Sequence, residues 1–212
     1  MKARERFITL EGGEGAGKSS LMKRLVLQLK ETGLPLFATR SPGSLDLGAR
    51  IRDLLLQSDA DEMIPKTELF LFLADRALHV AQELRPALRA GKIVLCDRYN
   101  DSTIVYQGIT RGLGRLRVER FCRFACDGLE PGLTLYLDLD PVIGLQRRGY
   151  VSRSDRIESE TLEFHRVVRS GYLEMARRDP ERIQVIDAGQ NEEDVFLKAS
   201  HLIRDFLASC TQ

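Results

Sequence analysis

The chain has 212 residues, with 32 Lys or Arg against 31 Asp or Glu, for a formal net charge of +1. A protein that tracks a phosphate polymer by bulk electrostatics carries a basic excess, so nucleic-acid binding on that basis is excluded and only a local basic site stays open. With 43% apolar and 30% charged residues the composition is globular, and a prior of about 100–200 residues per domain gives one domain over 1–212.

The longest uninterrupted apolar run, Leu69–Ala74, has six residues, against the roughly 20 of a membrane-spanning helix. The charged start Met1–Arg6 is followed by an apolar stretch that stops at Glu11, too short for the core of a signal peptide, so a cytoplasmic protein with no membrane partner is expected. Cys96, Cys122, Cys126 and Cys210 form no C-x-x-C pair and read as structural thiols. Cys122 and Cys126, four apart on a predicted helix, have no His nearby to complete a metal site.

In chain order, short apolar or β-rich runs alternate with amphipathic stretches. The runs are Phe7–Leu10, Leu36–Thr39, Ile93–Cys96, Leu133–Leu137 and Ile183–Ile186. Leu21, Met22, Leu25, Val26 and Leu29 recur at helical spacing after the first, and Gly33 with Pro35 closes that helix. A second helical stretch runs from Thr67 to about Ala90, with Pro86 set to kink or restart it. Val195, Ala199, Leu202, Ile203 and Phe206 mark a C-terminal helix. Five strands separated by helices predict an α/β fold, a parallel sheet flanked by helices, with ligands beyond the carboxyl ends of the strands.

The sharpest motif lies between the first strand and the first helix: Gly12, Gly13, Glu14, Gly15, Ala16, Gly17, Lys18 and Ser19 fit G-x-x-x-x-G-K-[ST], with Ser20 following. Glycines let backbone N–H groups turn around phosphate oxygens, and the helix start adds positive potential. Lys18 is expected to bridge the β- and γ-phosphates of ATP, and Ser19 to ligate Mg²⁺. A dinucleotide-binding reading fails because the second strand ends Ala38-Thr39-Arg40, with no acid for a ribose. There is no N-K-x-D and no Leu-Ser-Gly-Gly-Gln, which argues against a GTPase and a transporter ATPase. The third strand ends Cys96-Asp97-Arg98-Tyr99. Asp97 suits Mg²⁺, directly or through water, while Arg98 and Arg40 at the same sheet edge suit a second phosphate. Two phosphate sites imply a donor and an acceptor.

Several segments, taken together and in order, carry a resemblance to a known family. They are Phe7-Ile8-Thr9-Leu10-Glu11-Gly12 leading into the P-loop, Thr39-Arg40-x-Pro42-Gly43, Phe72-Leu73-Ala74-Asp75-Arg76, and Asp97-Arg98-Tyr99-x-Asp101-Ser102 continuing to Gln107-Gly108. Leu135-Tyr136-Leu137-Asp138 and Asp155-Arg156-Ile157-Glu158 follow. Over almost its whole length the chain resembles the thymidylate kinases, P-loop enzymes that phosphorylate dTMP. The resemblance implies that Phe72 stacks on thymine and that Arg76, four residues on and so on the same helix face, bonds its carbonyl oxygen. By spacing alone Phe72 fits core packing within Leu69–Leu73 better. It further implies that Ser102, Thr103 and Gln107 read the thymine edge and order the deoxyribose. Arg40 and Arg98 hold the acceptor phosphate, and Glu14 binds the 3′-hydroxyl or orients the acceptor-phosphate arginine.

Residues 147–158 carry Arg147, Arg148, Arg153 and Arg156 against Asp155 and Glu158, with Gly149 among them. This resembles the lid of nucleoside monophosphate kinases, which excludes water from the triphosphate. In the family the catalytic basic residue lies in the P-loop or the lid. Gly15 stands at the P-loop position, so the lid is expected to supply it, as in the bacterial type, with Arg153 first, Arg148 second and Arg147 nearer the adenine. Ser41 stands where the family commonly has Glu, and Ser41–Pro42 is a candidate cis bond without a strong prior. The implied reaction moves the ATP γ-phosphoryl to dTMP with Mg²⁺, giving dTDP and ADP for dTTP synthesis. The rivals are a deoxynucleoside kinase, another nucleoside monophosphate kinase, and a P-loop regulatory ATPase. The resemblance also implies a homodimer, through the Leu69–Val80 helix or the Leu116–Ala125 stretch.

Overall fold

A computed structural model describes residues 5–58, 63–148, 156–157 and 160–210, the side chain of Arg148 excepted. Its centre is a five-stranded, all-parallel sheet in the order β2-β3-β1-β4-β5. The strands are β1 (Phe7–Gly12), β2 (Leu36–Arg40), β3 (Ile93–Asp97), β4 (Leu133–Asp138) and β5 (Ile183–Asp187). Every predicted strand is present, and each runs on past its apolar run at the carboxyl end. The added residues include Glu11, Arg40, Asp97, Asp138 and Asp187. Backbone pairing continues where apolar character stops, and among these polar strand ends Asp97 lines the site and Glu11 supports it.

The helices among the described residues are α1 (Lys18–Glu31), α2 (Asp46–Gln57), α3 (Pro65–His79), α4 (Arg85–Arg89), α5 (Asn100–Thr103), α6 (Arg115–Ala125), α7 (Pro141–Arg148), α8 (Leu162–Arg178) and α9 (Glu192–Ser209). Strand alternation separates two apolar layers. Ile8, Leu10, Leu95 and Leu135 face α1 and α9, meeting Leu21, Leu25, Ala199 and Ile203. Phe7, Val94 and Cys96 face Val80 and Leu84 on the opposite side, and Tyr136 and Ile183 meet Val105, Val118, Val168 and Tyr172 there. Because α1 follows β1 on one face and the helices after β3 lie on the other, a cleft opens over the strand ends.

Two π-helical turns shape this second face. Val80–Leu84 joins α3 to α4, where the Arg85 N–H reaches back to the Val80 carbonyl. The wider turn absorbs Pro86, which has no N–H to give and whose ring would crowd an ordinary helix. Ile104–Thr110 continues α5, closed by Arg111 N–H donating to the Tyr106 carbonyl at 2.8 Å. That turn carries Tyr106 and Gln107 to the cleft. Helices α2 and α7 have no counterpart among the segments predicted from the sequence.

Candidate active site

The P-loop follows β1 directly. Gly17 starts α1 at φ 85°, a left-handed backbone that a side chain disfavours. At Gly15, φ 67°, an added Cβ would lie 2.1 Å from the Gly144 carbonyl oxygen of α7. Backbone against backbone explains why no basic side chain fits at position 15. Lys18 Nζ donates to the carbonyls of Gly12 (2.9 Å) and Gly13 (2.8 Å). Desolvation, and then the nearby Arg98 guanidinium, lower its pKa to about 8. Ala16 is buried, while Ser19 and Ser20 are exposed at the helix start.

Beside the loop lies a cavity of about 220 Å³ whose walls include Glu14, Lys18, Ser19, Phe72, Arg76, Asp97, Arg98, Ser102, Thr103 and Gln107. The structure thus brings together most of the sequence-predicted residues. Phe72 is half-buried and faces this space, whereas its neighbours Leu69 and Leu73 enter the core. The core-packing alternative for Phe72 therefore fails. Arg76, 2% exposed, lies 4.3 Å above the Tyr99 ring and donates to Asn100 Oδ1 at 3.2 Å. Its Nε has no hydrogen-bond partner among the described residues, which leaves a donor for a ligand carbonyl.

Arg98 occupies the left-handed region, φ 66°, held by its own N–H to the Leu10 carbonyl at 3.0 Å. Its guanidinium donates to Ser102 Oγ (3.1 Å) and Glu14 Oε1 (3.2 Å). Glu14, of the P-loop, thereby touches the guanidinium of Arg98 across the cleft. Behind Ser102 lies Glu11, fully buried in β1, accepting from Ser102 Oγ (2.5 Å), the Tyr172 hydroxyl (2.8 Å) and Tyr99 N–H (2.8 Å). Burial, reinforced by Asp101, raises the pKa of the Glu11 carboxyl. Asp101 in turn takes a bidentate pair from Arg182, at 2.7 and 3.0 Å.

Arg40 stands apart. Register pairs it with Asp97 on the α1 side of the sheet; it is exposed there and lines a second, open groove with Ser19, Lys23 and Asp97 rather than the cavity. The arginine that does line the cavity from this direction is Arg52 of α2, donating to the Pro42 carbonyl at 3.2 Å. The loop after β2 contains a cis Ser41–Pro42 bond, and Asp75 secures it, accepting from Ser41 Oγ (2.8 Å) and Gly43 N–H (3.0 Å). Ser41 thereby joins the support of the loop instead of offering a carboxylate.

In the candidate lid, Arg147 is exposed and donates to the Ala188 carbonyl at 3.1 Å, by the end of β5. Arg156 pairs with the buried Glu68, and its N–H donates to the Leu56 carbonyl at 3.2 Å. Arg153, Asp155, Glu158 and the side chain of Arg148 lie outside the described residues. The four cysteines are unbridged. Burial lifts the Cys122 thiol to about 12 and Cys96 well above its ordinary value, so both are inert at neutral pH. Among the described residues no group of three or more His, Cys, Asp or Glu side chains could by itself hold a metal ion, and no helix is long and apolar enough to cross a membrane.

Glu11, Arg52, Glu68, Tyr106 and Tyr172 join the site or its support without a role assigned from the sequence. A signal existed for two of them: Glu11 directly follows the apolar run Phe7–Leu10 and Glu68 directly precedes Leu69–Ala74, positions at the edge of the core where a charge needs partners.

Fold and site define a class: a P-loop NTPase fold whose phosphate loop opens onto an arginine-lined cavity sized for a second small substrate, the plan of a nucleoside monophosphate kinase. The family model described as Thymidylate kinase matches residues 10–198. A thymidylate kinase of Desulfovibrio desulfuricans is 47% identical over 208 residues, covering 95% of this chain and 96% of the relative. One from Protochlamydia amoebophila is 44% identical over 207 residues, covering 94% and 92%. The crystal structure of thymidylate kinase from Ehrlichia chaffeensis aligns with a TM-score of 0.75 at 29% identity, over 93% of this chain and 97% of that one. The chain belongs to the thymidylate kinase family.

Proposed function

We propose that the protein moves the γ-phosphoryl group of ATP to the 5′-phosphate of dTMP, giving dTDP and ADP, with the cytoplasm as its compartment. The observation that carries this is the pairing of a P-loop with a cavity that Phe72, Arg76, Gln107 and Arg98 all line. A planar ring can lie on Phe72 while its polar edge meets Arg76 and Gln107. An acceptor phosphate then meets Arg98, itself aimed by Ser102 and Glu14.

An oxygen of the acceptor phosphate attacks the γ-phosphorus, a new P–O bond forms, the bond to the β-phosphate oxygen breaks, and ADP leaves. Placement and charge neutralisation supply the acceleration, with Lys18 and the P-loop amides on the donor and Arg98 on the acceptor. Asp97 Oδ1 is buried with no hydrogen-bond partner among the described residues, and Ser19 lines the same cavity. That donor set fits Mg²⁺, which when bound would neutralise charge on the donor phosphates. We assign residues 147–158 as the lid within a single domain, with Arg153 reaching the donor phosphates and Arg147 lying toward the adenine.

ADP release is to be measured with dTMP, dUMP, dCMP, dGMP and thymidine. dTMP should give the highest kcat/KM and thymidine background only, because a nucleoside leaves Arg98 without its phosphate. No stimulation by dTMP would overturn the substrate assignment.

We also assign a homodimer. Phe70 of α3 and Phe121, Phe124 and Leu116 of α6 are 57%, 38%, 85% and 60% exposed, and the Phe70 and Phe121 rings lie 6.2 Å apart. Both helices expected to supply an interface thus form one apolar face, and a second copy covers it. Phe124→Glu should shift the mass in light scattering from two chains to one.

A further inference from the structure

We propose that Glu68, which touches no substrate in this reading, decides which pyrimidine the cavity accepts, by fixing the orientation of the Gln107 amide. The inference rests on the cavity being a pyrimidine nucleotide site. Gln107 and Glu68 are each 1% exposed, and Gln107 Nε2 donates to Glu68 Oε1 at 2.7 Å. Carboxylate oxygens accept and do not donate, so the amide must turn its NH₂ to Glu68. A planar amide then carries its oxygen away from Glu68, toward the cavity that Gln107 lines.

Glu68 is itself held from turning. Arg111 donates to it at 3.4 Å and also pairs with Glu160 at 2.7 Å, while Arg156 pairs with its other oxygen. Two acids and two arginines cancel in charge, so the carboxylate is neutralised without drawing on the Gln107 amide as its sole donor.

The cavity therefore presents an acceptor, Gln107 Oε1, and a donor-only group, Arg76. The complement is a base edge with an N–H beside a carbonyl, which thymine and uracil have. Cytosine has the reverse, a ring nitrogen that accepts beside an amino group that donates. It would meet acceptor with acceptor and donor with donor, leaving buried polar groups unpaired. Glu68 is thus a positioning residue that acts through Gln107.

Steady-state kcat/KM for dTMP and dCMP is to be measured on the wild-type protein, Glu68→Gln, Gln107→Met and the double variant. A glutamine at 68 can present either oxygen or NH₂, which frees Gln107 to turn. Glu68→Gln should lower the dTMP-to-dCMP ratio by about tenfold or more, chiefly through KM for dTMP, with kcat within about threefold. In the Gln107→Met background the same change should move the ratio no further, because the group it acts through is gone. An unchanged ratio in Glu68→Gln, an equal loss for both nucleotides, or a further fall in the double variant would each overturn the proposal. Should Glu68→Gln fail to fold by circular dichroism, Glu68→Asp keeps the charge between Arg111 and Arg156 but withdraws it from Gln107. It should lower the same ratio, and an unchanged ratio there counts against the proposal equally. A wild-type protein inactive on dTMP sinks the substrate assignment instead, so the two failures are told apart.

Discussion

On the acceptor wall of the cleft, carried by α3, β3 and the helices after β3 and backed by β1, polar groups are paired before any substrate arrives. Glu11 holds Ser102 and Tyr172, Ser102 and Glu14 hold Arg98, and Glu68 holds Gln107. On the donor wall the P-loop satisfies itself: Lys18 bonds two carbonyls of its own loop, and Ser19 and Ser20 stand exposed. The acceptor wall spends buried carboxylates on preorganising the groups that recognise substrate. In the proposed function, donor-side chemistry instead waits for phosphates to draw Lys18 off its carbonyls. Selectivity and turnover should therefore respond to different residues.

The largest expected effect is on the donor side. Arg153→Ala should slow turnover by roughly 10³, by analogy with arginine fingers, while leaving dTMP affinity unchanged. Single-turnover kinetics with a parallel dTMP titration separates the two, and near-wild-type turnover would remove Arg153 from the reaction.

A smaller effect is expected at Glu11. Glutamine there would aim an NH₂ at one of three donors, Tyr99 N–H, Ser102 or Tyr172. Loosened positioning of Arg98 should lower kcat/KM for dTMP by about 10- to 100-fold, with the KM for ATP little changed. The pH sign follows from burial. A carboxyl with a raised pKa protonates at a higher pH than an ordinary one, and once protonated it accepts fewer hydrogen bonds. Wild-type kcat/KM for dTMP should therefore fall as pH drops, from above the ordinary carboxylate range, and Glu11→Gln should flatten that limb. An equal loss for ATP and dTMP would dissolve the distinction between the walls.

The smallest effect is a fraction of a proton. With its pKa lowered from 10.5 to about 8, Lys18 is about half neutral at pH 8 in the unliganded protein. Phosphate oxygens favour the charged form, so binding raises the pKa and takes up a proton. Calorimetric titration with ATP at pH 8 to 9, in buffers of differing ionisation enthalpy, should show uptake that shrinks toward neutral pH and disappears in Lys18→Arg. No buffer dependence at pH 8.5 would mean that Lys18 is already charged, and the donor wall as prepared as the acceptor wall.

Local rules made much of the molecule legible. The P-loop is eight consecutive residues whose glycines have one geometric purpose, and the five strands follow from short apolar runs set between helical stretches. Phe72 and Arg76 share a face because a helix places residues four apart together. Helix α2 carries no motif that reveals it, and with it comes Arg52, which lines the cavity; of the two arginines expected at the acceptor phosphate, Arg98 lines the cavity and Arg40 lines the groove beside α1. Spacing near a strand end could not separate them, because register turns Arg40 to the α1 side while a left-handed backbone at the next strand's end turns Arg98 inward.

By itself, then, the sequence determined the parallel α/β plan, the phosphate loop and the class of chemistry, since each depends on neighbours within a few turns of chain. Only the tertiary structure decided what holds the recognising groups in place. Glu11 meets Tyr172 across 161 positions, and Glu68 meets Gln107 across 39 and Arg156 across 88. A buried charge must find its partners wherever folding brings them, and no periodicity records which they are.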